Sequence, residues 1–241
     1  MNVFPSETTR FARRHPAAYF GLHELVGLVV AALSAWAFFA MADEVPERGG
    51  MVRLDLAIST WMEAHSTESG ERIFLLVSQL DTVLTVILVA AAVLFVIRRD
   101  WRHLAVLALT AGGGVILNTE LKALFHRTRP IYASEFQVSL WSFPSGHAMD
   151  CLIGYGLIAY WIGARFPKAK LASHLIAAAL ILLIGFARIY LGVHYLSDVA
   201  AGFAGGLLWL AVCITGYEFA ERWRVGPAGA DEHQGRNPAA M

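Results

Sequence analysis

Three clusters of polar residues interrupt an otherwise apolar sequence, in segments 122–130, 142–147 and 188–198. Among their residues are strong cations, the histidines His147 and His194, a carboxylate and a glycine that follows a serine. A charge at the centre of a membrane helix costs about 2.5 to 3.5 kcal/mol on insertion scales. Apolar chains therefore keep such groups for a reason, and this combination indicates chemistry on an anion.

The cations suit a phosphate group. Arginine presents a fork of donors that matches phosphate oxygens, and lysine presents a point charge, so Lys122, Arg129 and Arg188 are candidate phosphate ligands. A helix predicted to begin at Ser145 and Gly146 would aim its first backbone amides at the same anion. The glycine would let the backbone approach an oxyanion closely.

The histidines supply groups for phosphoryl transfer. His194 and Asp198 are four residues apart, so they would share one face of a helix. A carboxylate bonded to one ring nitrogen fixes the tautomer and leaves the other nitrogen free to attack phosphorus. His147, from another helix, would protonate the leaving oxygen and then activate the water that cleaves a phosphohistidine.

Plainer interpretations compete with this one. Lys122, Arg127 and Arg129 would also serve as anchors that snorkel to lipid headgroups. Two histidines and an aspartate are a ligand set that zinc accepts. Phosphate-hydrolysing metal centres usually hold more carboxylates, however, and the nearby cations would oppose a divalent ion. We therefore predict no metal and no cofactor.

The composition indicates a membrane protein. Of the 241 residues, 57% are hydrophobic and only 16% are charged, and the mean hydropathy is +0.54. A soluble domain has roughly 25% charged residues. The net charge of zero argues against a nucleic-acid-binding protein, and the hydrophobicity argues against disorder. Cys151 and Cys213 lie in apolar stretches, which predicts two free, buried thiols.

Six segments are long and apolar enough to cross a membrane, which takes about 20 residues. They are 21–42, 73–97, 103–124, 143–164, 171–188 and 195–216. The sequence thus predicts an all-α integral membrane bundle of six transmembrane helices, with the three polar clusters at one face. Residues 1–20 would form a cytoplasmic segment, 21–216 the membrane domain and 217–241 a disordered cytoplasmic tail.

Basic residues set the orientation of this bundle. Outside the clusters they concentrate in segments 10–14, 98–102, 165–170 and 222–236. A six-span arrangement puts these segments on one side, which the positive-inside rule assigns to the cytoplasm. We therefore expect a protein of the cytoplasmic (inner) membrane, with both termini inside and the clusters at the outer, periplasmic face.

The longest external connection, 43–72, predicts a short external helix. Its apolar residues recur at helical spacing: Met51, Leu54, Ile58, Trp61 and Met62. Two placements fit this pattern equally well. The helix would either lie on the membrane surface or pack on the ends of the bundle.

In its three clusters the chain closely resembles the type 2 phosphatidic acid phosphatase family. The family signature is Lys-x6-Arg-Pro, then Pro-Ser-Gly-His, then Ser-Arg-x5-His-x3-Asp. The matching residues are Lys122, Arg129 and Pro130, then Pro144, Ser145, Gly146 and His147, then Arg188, His194 and Asp198. Order and spacing both agree, and the resemblance covers residues 118–206, about a third of the chain.

The resemblance implies a metal-independent, six-span lipid phosphatase whose site lies at the outer membrane surface. The phosphate ligands it implies are Lys122, Arg129, Ser145, Gly146 and Arg188. His147 would be the general acid and His194 the nucleophile, oriented by Asp198. The chain departs from the signature at Ala187, where the family usually has serine, and so lacks a hydroxyl near the phosphate.

Carboxylates outside the signature are further candidates, because an ionisable group inside a membrane is a functional candidate by default. Asp150 lies one turn beyond His147 and would orient it or help to define the lipid headgroup. Asp81 lies within the second predicted span, where no particular role is indicated. Glu120 is expected to pair with a cation such as Arg127.

The predicted partners are a membrane lipid phosphate and the bilayer, with no nucleic acid. Undecaprenyl diphosphate, phosphatidylglycerol phosphate, phosphatidic acid and the phosphates of lipid A are all compatible, and a bacterial cell-envelope lipid is favoured. Two other functions remain open. One is a lipid phosphotransferase, in which a lipid hydroxyl replaces water. The other is a phosphate-lipid binding or transport protein, which would not need a nucleophile with an orienting carboxylate.

Overall fold

The computed structural model describes residues 16–47, 49–130 and 141–225, and within these ranges the chain is helical apart from short connections. The helices are α1 (Pro16–Glu47), α2 (Gly50–His65), α3 (Glu68–Ile97), α4 (Trp101–Leu107), α5 (Gly113–Phe125), α6 (Gly146–Arg165), α7 (Lys170–Tyr190) and α8 (Leu196–Val225). A π-helical turn, Ala108–Gly112, makes α4 and α5 one nearly continuous helix. The all-α prediction is confirmed for the described residues.

Five helical segments are long and apolar enough to cross a membrane. They are Glu24–Glu44, Glu68–Ile97, Trp101–Phe125, Pro167–Tyr190 and Leu196–Glu221. Large apolar side chains cover their outer surfaces, with Leu28 63%, Leu76 72% and Ile97 73% exposed. Such a surface suits lipid rather than water, so the prediction of a multi-pass membrane protein is confirmed.

The fourth predicted span, 143–164, corresponds to α6, whose 20 residues are not among these five apolar segments. This helix lies at the centre of the bundle, where it packs mainly against α7 and α8. Glycines allow the close approach: Leu84 of α3 fills the space beside Gly154, and Leu210 of α8 fills the space beside Gly156. Because neighbouring helices cover much of its surface, α6 can carry polar residues that a lipid-facing helix could not.

The short helix predicted within connection 43–72 corresponds to α2. Ile58 and Met62 of this helix pack against an apolar cluster built on Ala148, Ile189 and Val199. Asp55 of this helix is fully buried. A helix that lay on the membrane surface would leave this polar side chain exposed. The structure thus favours the second of the two predicted placements, on the ends of the bundle helices.

The last helix extends beyond its predicted end at residue 216, because 217–225 continue with helix-forming residues rather than breakers. The rest of the tail, 226–241, and residues 1–15 of the predicted N-terminal segment lie outside the described residues. Cys151 and Cys213 are free and buried, as predicted.

Candidate active site

The arginines of the first cluster follow α5 on a connection that is fastened at both ends. α5 ends at Phe125, and His126 takes the left-handed conformation (φ 46°) that turns the chain away from the helix axis. Thr128 then forms an antiparallel bridge with Trp141. The amide of Ser142 donates to the carbonyl of Arg127 at 2.8 Å, which holds the two ends of the connection together.

This closure brings two predicted phosphate ligands to one backbone carbonyl. Lys122 Nζ donates to the oxygen of Trp141 at 3.2 Å, and Arg129 Nη2 donates to the same oxygen at 3.1 Å. Two cations that share an acceptor lie close together and repel each other, so an anion between them would be stabilised. Lys122 comes from α5 and Arg129 from the connection, yet they form one positive patch.

The second cluster begins α6. The side chain of Ser145 accepts from the amide of Ala148 as the N-cap, and its own amide donates to the carbonyl of Asp198 at 2.9 Å. Gly202 of α8 lies directly against this start, because a Cβ there would come within 2.6 Å of the carbonyl oxygen of Ser145. The start of α6 is therefore held against the first turns of α8.

Gly146, at the first position of α6, lies under two side chains of α5. A Cβ at this position would be 3.0 Å from Oδ1 of Asn118 and 3.8 Å from Cε of Lys122. Glycine thus lets the amides at the start of α6, which have no partners within the helix, approach the positive patch. An anion bound there would meet both the amides and the cations.

The third cluster places His194 between a cation and a carboxylate. His194 is 2% exposed, Nε2 is 3.1 Å from Arg129 Nη1, and Nδ1 is 3.5 Å from Asp198 Oδ2. Because an arginine only donates, Nε2 must hold a lone pair, which puts the ring proton on Nδ1 facing Asp198. His194 lies in the turn before α8 rather than on the helix, because α8 begins only at Leu196.

The environment keeps His194 neutral. Burial lowers the pKa of its imidazole from the ordinary 6.5 to about 4, and the positive charges of Arg129 and Lys122 act in the same direction against the opposing effect of Asp198. The ring is therefore uncharged at neutral pH. A neutral imidazole with a free Nε2 lone pair is the state that a nucleophile requires.

Asp198 is held on its other side by Arg127. Oδ1 of Asp198 accepts from Arg127 Nη1 at 2.6 Å, while Oδ2 accepts from the amide of Tyr195 at 2.9 Å. The second arm of Arg127 pairs with Asp55 of α2 at 2.7 Å. The predicted pairing of Glu120 with Arg127 is thus wrong, because two fully buried carboxylates take the guanidinium instead.

His147 meets a carboxylate from a helix outside the signature. Its Nε2 is 3.5 Å from Oδ2 of Asp81, which lies on α3. Asp150, the predicted orienting residue, lies within electrostatic range of Asp81 and Lys122, but no contact with His147 is observed among the described residues. The structure thus brings Asp81, rather than Asp150, beside the candidate general acid.

Arg188 approaches the site from the end of α7. It is 7% exposed, and its Nη1 donates to Oγ of Ser78 on α3 at 3.3 Å. Ala187, at the position where the family signature has serine, is fully buried. A polar face of α3, made by Ser78 and Asp81, thus contacts both Arg188 and His147.

The predicted site residues come together at one end of the bundle. His147 interacts electrostatically with His194, Lys122, Arg129 and Arg188, which belong to four different parts of the chain. The residues that sequence reasoning missed are Asp55, Ser78, Asn118 and the carbonyl of Trp141. For Asp55 a signal existed, since it is an acidic residue among the apolar positions of a predicted amphipathic helix.

Comparisons with known proteins identify relatives of this chain. The sequence model of the PAP2 superfamily matches residues 101–222 of this chain. Phosphatidylglycerophosphatase B of Bacillus subtilis (strain 168) is 39% identical over 129 residues, which make up 52% of this chain and 63% of that protein. The match therefore spans less than two thirds of the length of this relative.

Two solved structures match parts of this chain. The crystal structure of the first transmembrane PAP2 type phosphatidylglycerolphosphate phosphatase from Bacillus subtilis has a TM-score of 0.71 and 29% identity, and the match covers 80% of this chain and 97% of that one. The crystal structure of Aquifex aeolicus LpxE has a TM-score of 0.49 and 25% identity, with 67% and 94% covered. Since the matched region includes all three polar clusters and half of the residues, this chain belongs to the PAP2 superfamily.

Proposed function

We propose that this protein is a metal-independent lipid phosphatase, which hydrolyses a phosphate monoester or diphosphate on a membrane lipid through a phosphohistidine. The observation that carries this proposal is the setting of His194. Its Nε2 lies 3.1 Å from an arginine of the positive patch, and its Nδ1 faces a buried carboxylate. Pure phosphate binding would need the cations but not an oriented, neutral imidazole.

The first step would transfer the phosphoryl group to the protein. Lys122, Arg129, Arg188 and the amides at Gly146 hold the phosphate. Nε2 of His194 then attacks phosphorus, the bond from phosphorus to the lipid oxygen breaks, and that oxygen takes a proton from His147. The cations stabilise the charge that spreads over the equatorial oxygens of the transition state.

The second step would release phosphate. The imidazole of His147, now deprotonated, takes a proton from a water molecule, whose oxygen attacks phosphorus as the bond to Nε2 breaks. Inorganic phosphate leaves and His147 is again protonated. Asp198 stabilises the positive charge that the phosphorylated ring carries while its Nδ1 proton is retained. These steps need no metal, because the cations supply the electrostatic stabilisation.

For the topology we propose six spans, with α6 as the one added to the five apolar segments. At 1.5 Å per residue its 20 residues measure about 30 Å, which matches the hydrocarbon core. Six spans put both termini in the cytoplasm, given the basic segments in the sequence. The site then opens to the periplasmic face of the inner membrane, where α2 packs over the bundle.

Phosphatidylglycerol phosphate is the first substrate to test, because both the curated relative and the more similar solved structure carry a name for that activity. Undecaprenyl diphosphate, phosphatidic acid and lipid A phosphates form the rest of the panel. Apolar helix surfaces would contact the lipid chain and discriminate weakly per methylene. The positive patch would contact the phosphate, which all these lipids share.

The test is release of inorganic phosphate from this panel by the purified protein in detergent, with excess EDTA, beside His194→Ala. We expect release that survives EDTA and that falls by at least about a thousandfold in the variant. Loss of release on adding EDTA would overturn the metal-free mechanism. A folded protein that releases nothing, but transfers phosphate to an added lipid alcohol or only binds the lipid, would support one of the two alternative functions.

A further inference from the structure

A chain of three buried charges lies behind the candidate nucleophile. Arg127 stands between Asp55 of α2 and Asp198 of α8, with contacts of 2.7 Å and 2.6 Å from its two terminal nitrogens. Both carboxylate side chains are 0% exposed and the arginine side chain is 8% exposed. Buried charges persist only when they are paired and fully hydrogen-bonded, so the exact partners of each group matter.

Every oxygen of the distal carboxylate has a donor. Oδ1 of Asp55 accepts from the amide of Ser197 at 3.0 Å, and Oδ2 accepts from Arg127 and from the hydroxyl of Ser197. The same hydroxyl accepts from Arg127 Nη1 at 2.7 Å. The guanidinium also stacks over the ring of Tyr195, 4.4 Å from its centre. A network this complete leaves the arginine one orientation.

We propose that Asp55 and Arg127 are positioning residues for the nucleophile His194. Arg127 binds Oδ1 of Asp198 and thereby turns Oδ2 toward Nδ1 of His194. Asp55 binds the other arm of Arg127 and balances its charge. This inference rests on the proposed function, because it gives the network a task only if His194 attacks phosphorus.

The charges of Asp198, Arg127 and Asp55 suit the transfer of a phosphoryl group to His194. A phosphorylated imidazole that retains its Nδ1 proton is positive, and the negative charge of Asp198 stabilises it. An unbalanced Arg127 at 2.6 Å would largely cancel that negative charge. With Asp55 on its far side, Arg127 orients Asp198 while the three groups together keep one net negative charge beside the ring.

The network extends beyond the family signature. It joins Asp198, a signature residue, to Asp55 of α2, which the signature does not include. Asp55 is separated from Arg127 by 72 residues and from Ser197 by 142 residues along the chain. α2 therefore contributes to the site by holding a carboxylate behind the catalytic groups. A helix that served only to cover the bundle would need apolar contacts, such as those of Ile58 and Met62, but no buried aspartate.

The pH dependence of the reaction reports on this arrangement, because other charges near His194 stay fixed in the variants. The charged and titratable groups around the ring are Asp198 with Arg127 and Asp55 behind it, Arg129, Lys122, His147 and Arg188. Removing a negative charge lowers the pKa of His194 and removing a positive charge raises it. Neutralising Asp55 and neutralising Arg127 should therefore shift the pKa of His194 in opposite directions.

The experiment measures kcat, KM and the pH profile of kcat/KM for phosphate release from the best substrate of the panel. Asp55→Asn should move the acid limb to lower pH and Arg127→Met should move it to higher pH, each by roughly half a unit or more. Arg127→Lys keeps the charge but loses the fork, so kcat should fall at least about tenfold with KM within about threefold. Glu68→Gln is the matched control, because Glu68 is an exposed carboxylate that also pairs with an arginine. This variant should leave kcat, KM and the midpoint of the acid limb unchanged.

Each rate is divided by the folded fraction measured at the same pH, so neither partial misfolding nor acid unfolding obscures the midpoint of the profile. If Arg127→Met does not fold, Asp55→Asn and Arg127→Lys still decide the question. Variants that lower only the folded yield, with an unmoved acid limb and normal kcat per folded molecule, would overturn the proposal. If the wild type releases no phosphate, the proposed function fails instead, and His194→Ala in the same assay separates the two outcomes.

Discussion

His194 Nε2 lies 3.1 Å from Nη1 of Arg129, so the candidate nucleophile touches the cation that would hold its target. The same guanidinium donates to the carbonyls of Val193 at 2.6 Å and Trp141 at 3.1 Å. Arg129 therefore has a fixed position and marks where the phosphate would lie. A phosphate bound to Arg129 in place of Nε2 would have its phosphorus atom facing the lone pair of Nε2.

Arg129→Lys should reduce kcat/KM by roughly 10- to 100-fold, in line with hydrogen bonds to charged groups worth about 1.5 to 3 kcal/mol. A lysine keeps the charge but lacks the planar fork that reaches all three acceptors at once. Steady-state phosphate release measures the effect. Arg72→Lys, in an exposed pair with Glu68, is the control and should behave as the wild type. Equal activities of the two variants would show that the fork is dispensable.

The acid limb of kcat/KM should fall with a midpoint near pH 4, because burial lowers the pKa of His194 to about 4. Protonation removes the Nε2 lone pair, so the rate is lost as pH falls through that value. A pH-rate profile from pH 3.5 to 8 tests the prediction. A midpoint near 6.5 would mean that His194 titrates as an ordinary histidine.

The same pKa links His194 to stability. The folded pKa lies below the unfolded value of 6.5, so the unfolded chain binds the proton more readily. The contribution of His194 to stability is therefore complete above pH 6.5 and is lost as pH falls toward 4. The difference in apparent Tm between the wild type and His194→Asn should shrink over this interval. A difference that does not change with pH would contradict the buried, neutral state.

Asp81→Asn should lower kcat by about tenfold or more and leave KM within about threefold, because the amide no longer supports the proton that His147 must donate. Asp81 Oδ2 is 3.5 Å from His147 Nε2. Asp150→Asn is the matched variant and should keep kcat within about threefold of the wild type. The reverse order of the two effects would assign the positioning of His147 to Asp150.

Gly202→Ala should reduce both activity and apparent Tm. Its Cβ would lie 2.6 Å from the carbonyl oxygen of Ser145 and 3.3 Å from the amide nitrogen of Met149, so the start of α6 must shift. Gly216, on the same helix, has nothing within 4 Å of an added Cβ. Gly216→Ala should therefore be neutral or stabilise by about 0.5 to 1 kcal/mol. A fully active Gly202→Ala would show that the close contact between α6 and α8 is not needed.

The sequence alone predicted the candidate site because the informative spacings are local. Lys122 and Arg129 come from one helix end and the turn after it, and His194 and Asp198 are four residues apart, so the members of each pair are close along the chain. The apolar runs likewise determined the helices and their relation to a membrane, since about 20 apolar residues suffice for a span. The central helix, α6, was also predicted from its apolar residues, but neighbouring helices cover much of its surface, and it is not among the five most apolar segments of the structure.

Only the tertiary structure decided which carboxylate pairs with Arg127 and which lies beside His147. Sequence reasoning paired Glu120 with Arg127 and considered Asp150 for His147, because those residues are close in the chain. The bundle instead supplies Asp55 to Arg127 and Asp81 to His147, from α2 and α3. A buried charge is costly unless a partner meets it. The partner is therefore whichever opposite charge helix packing brings to the same buried point, which spacing along the chain does not encode.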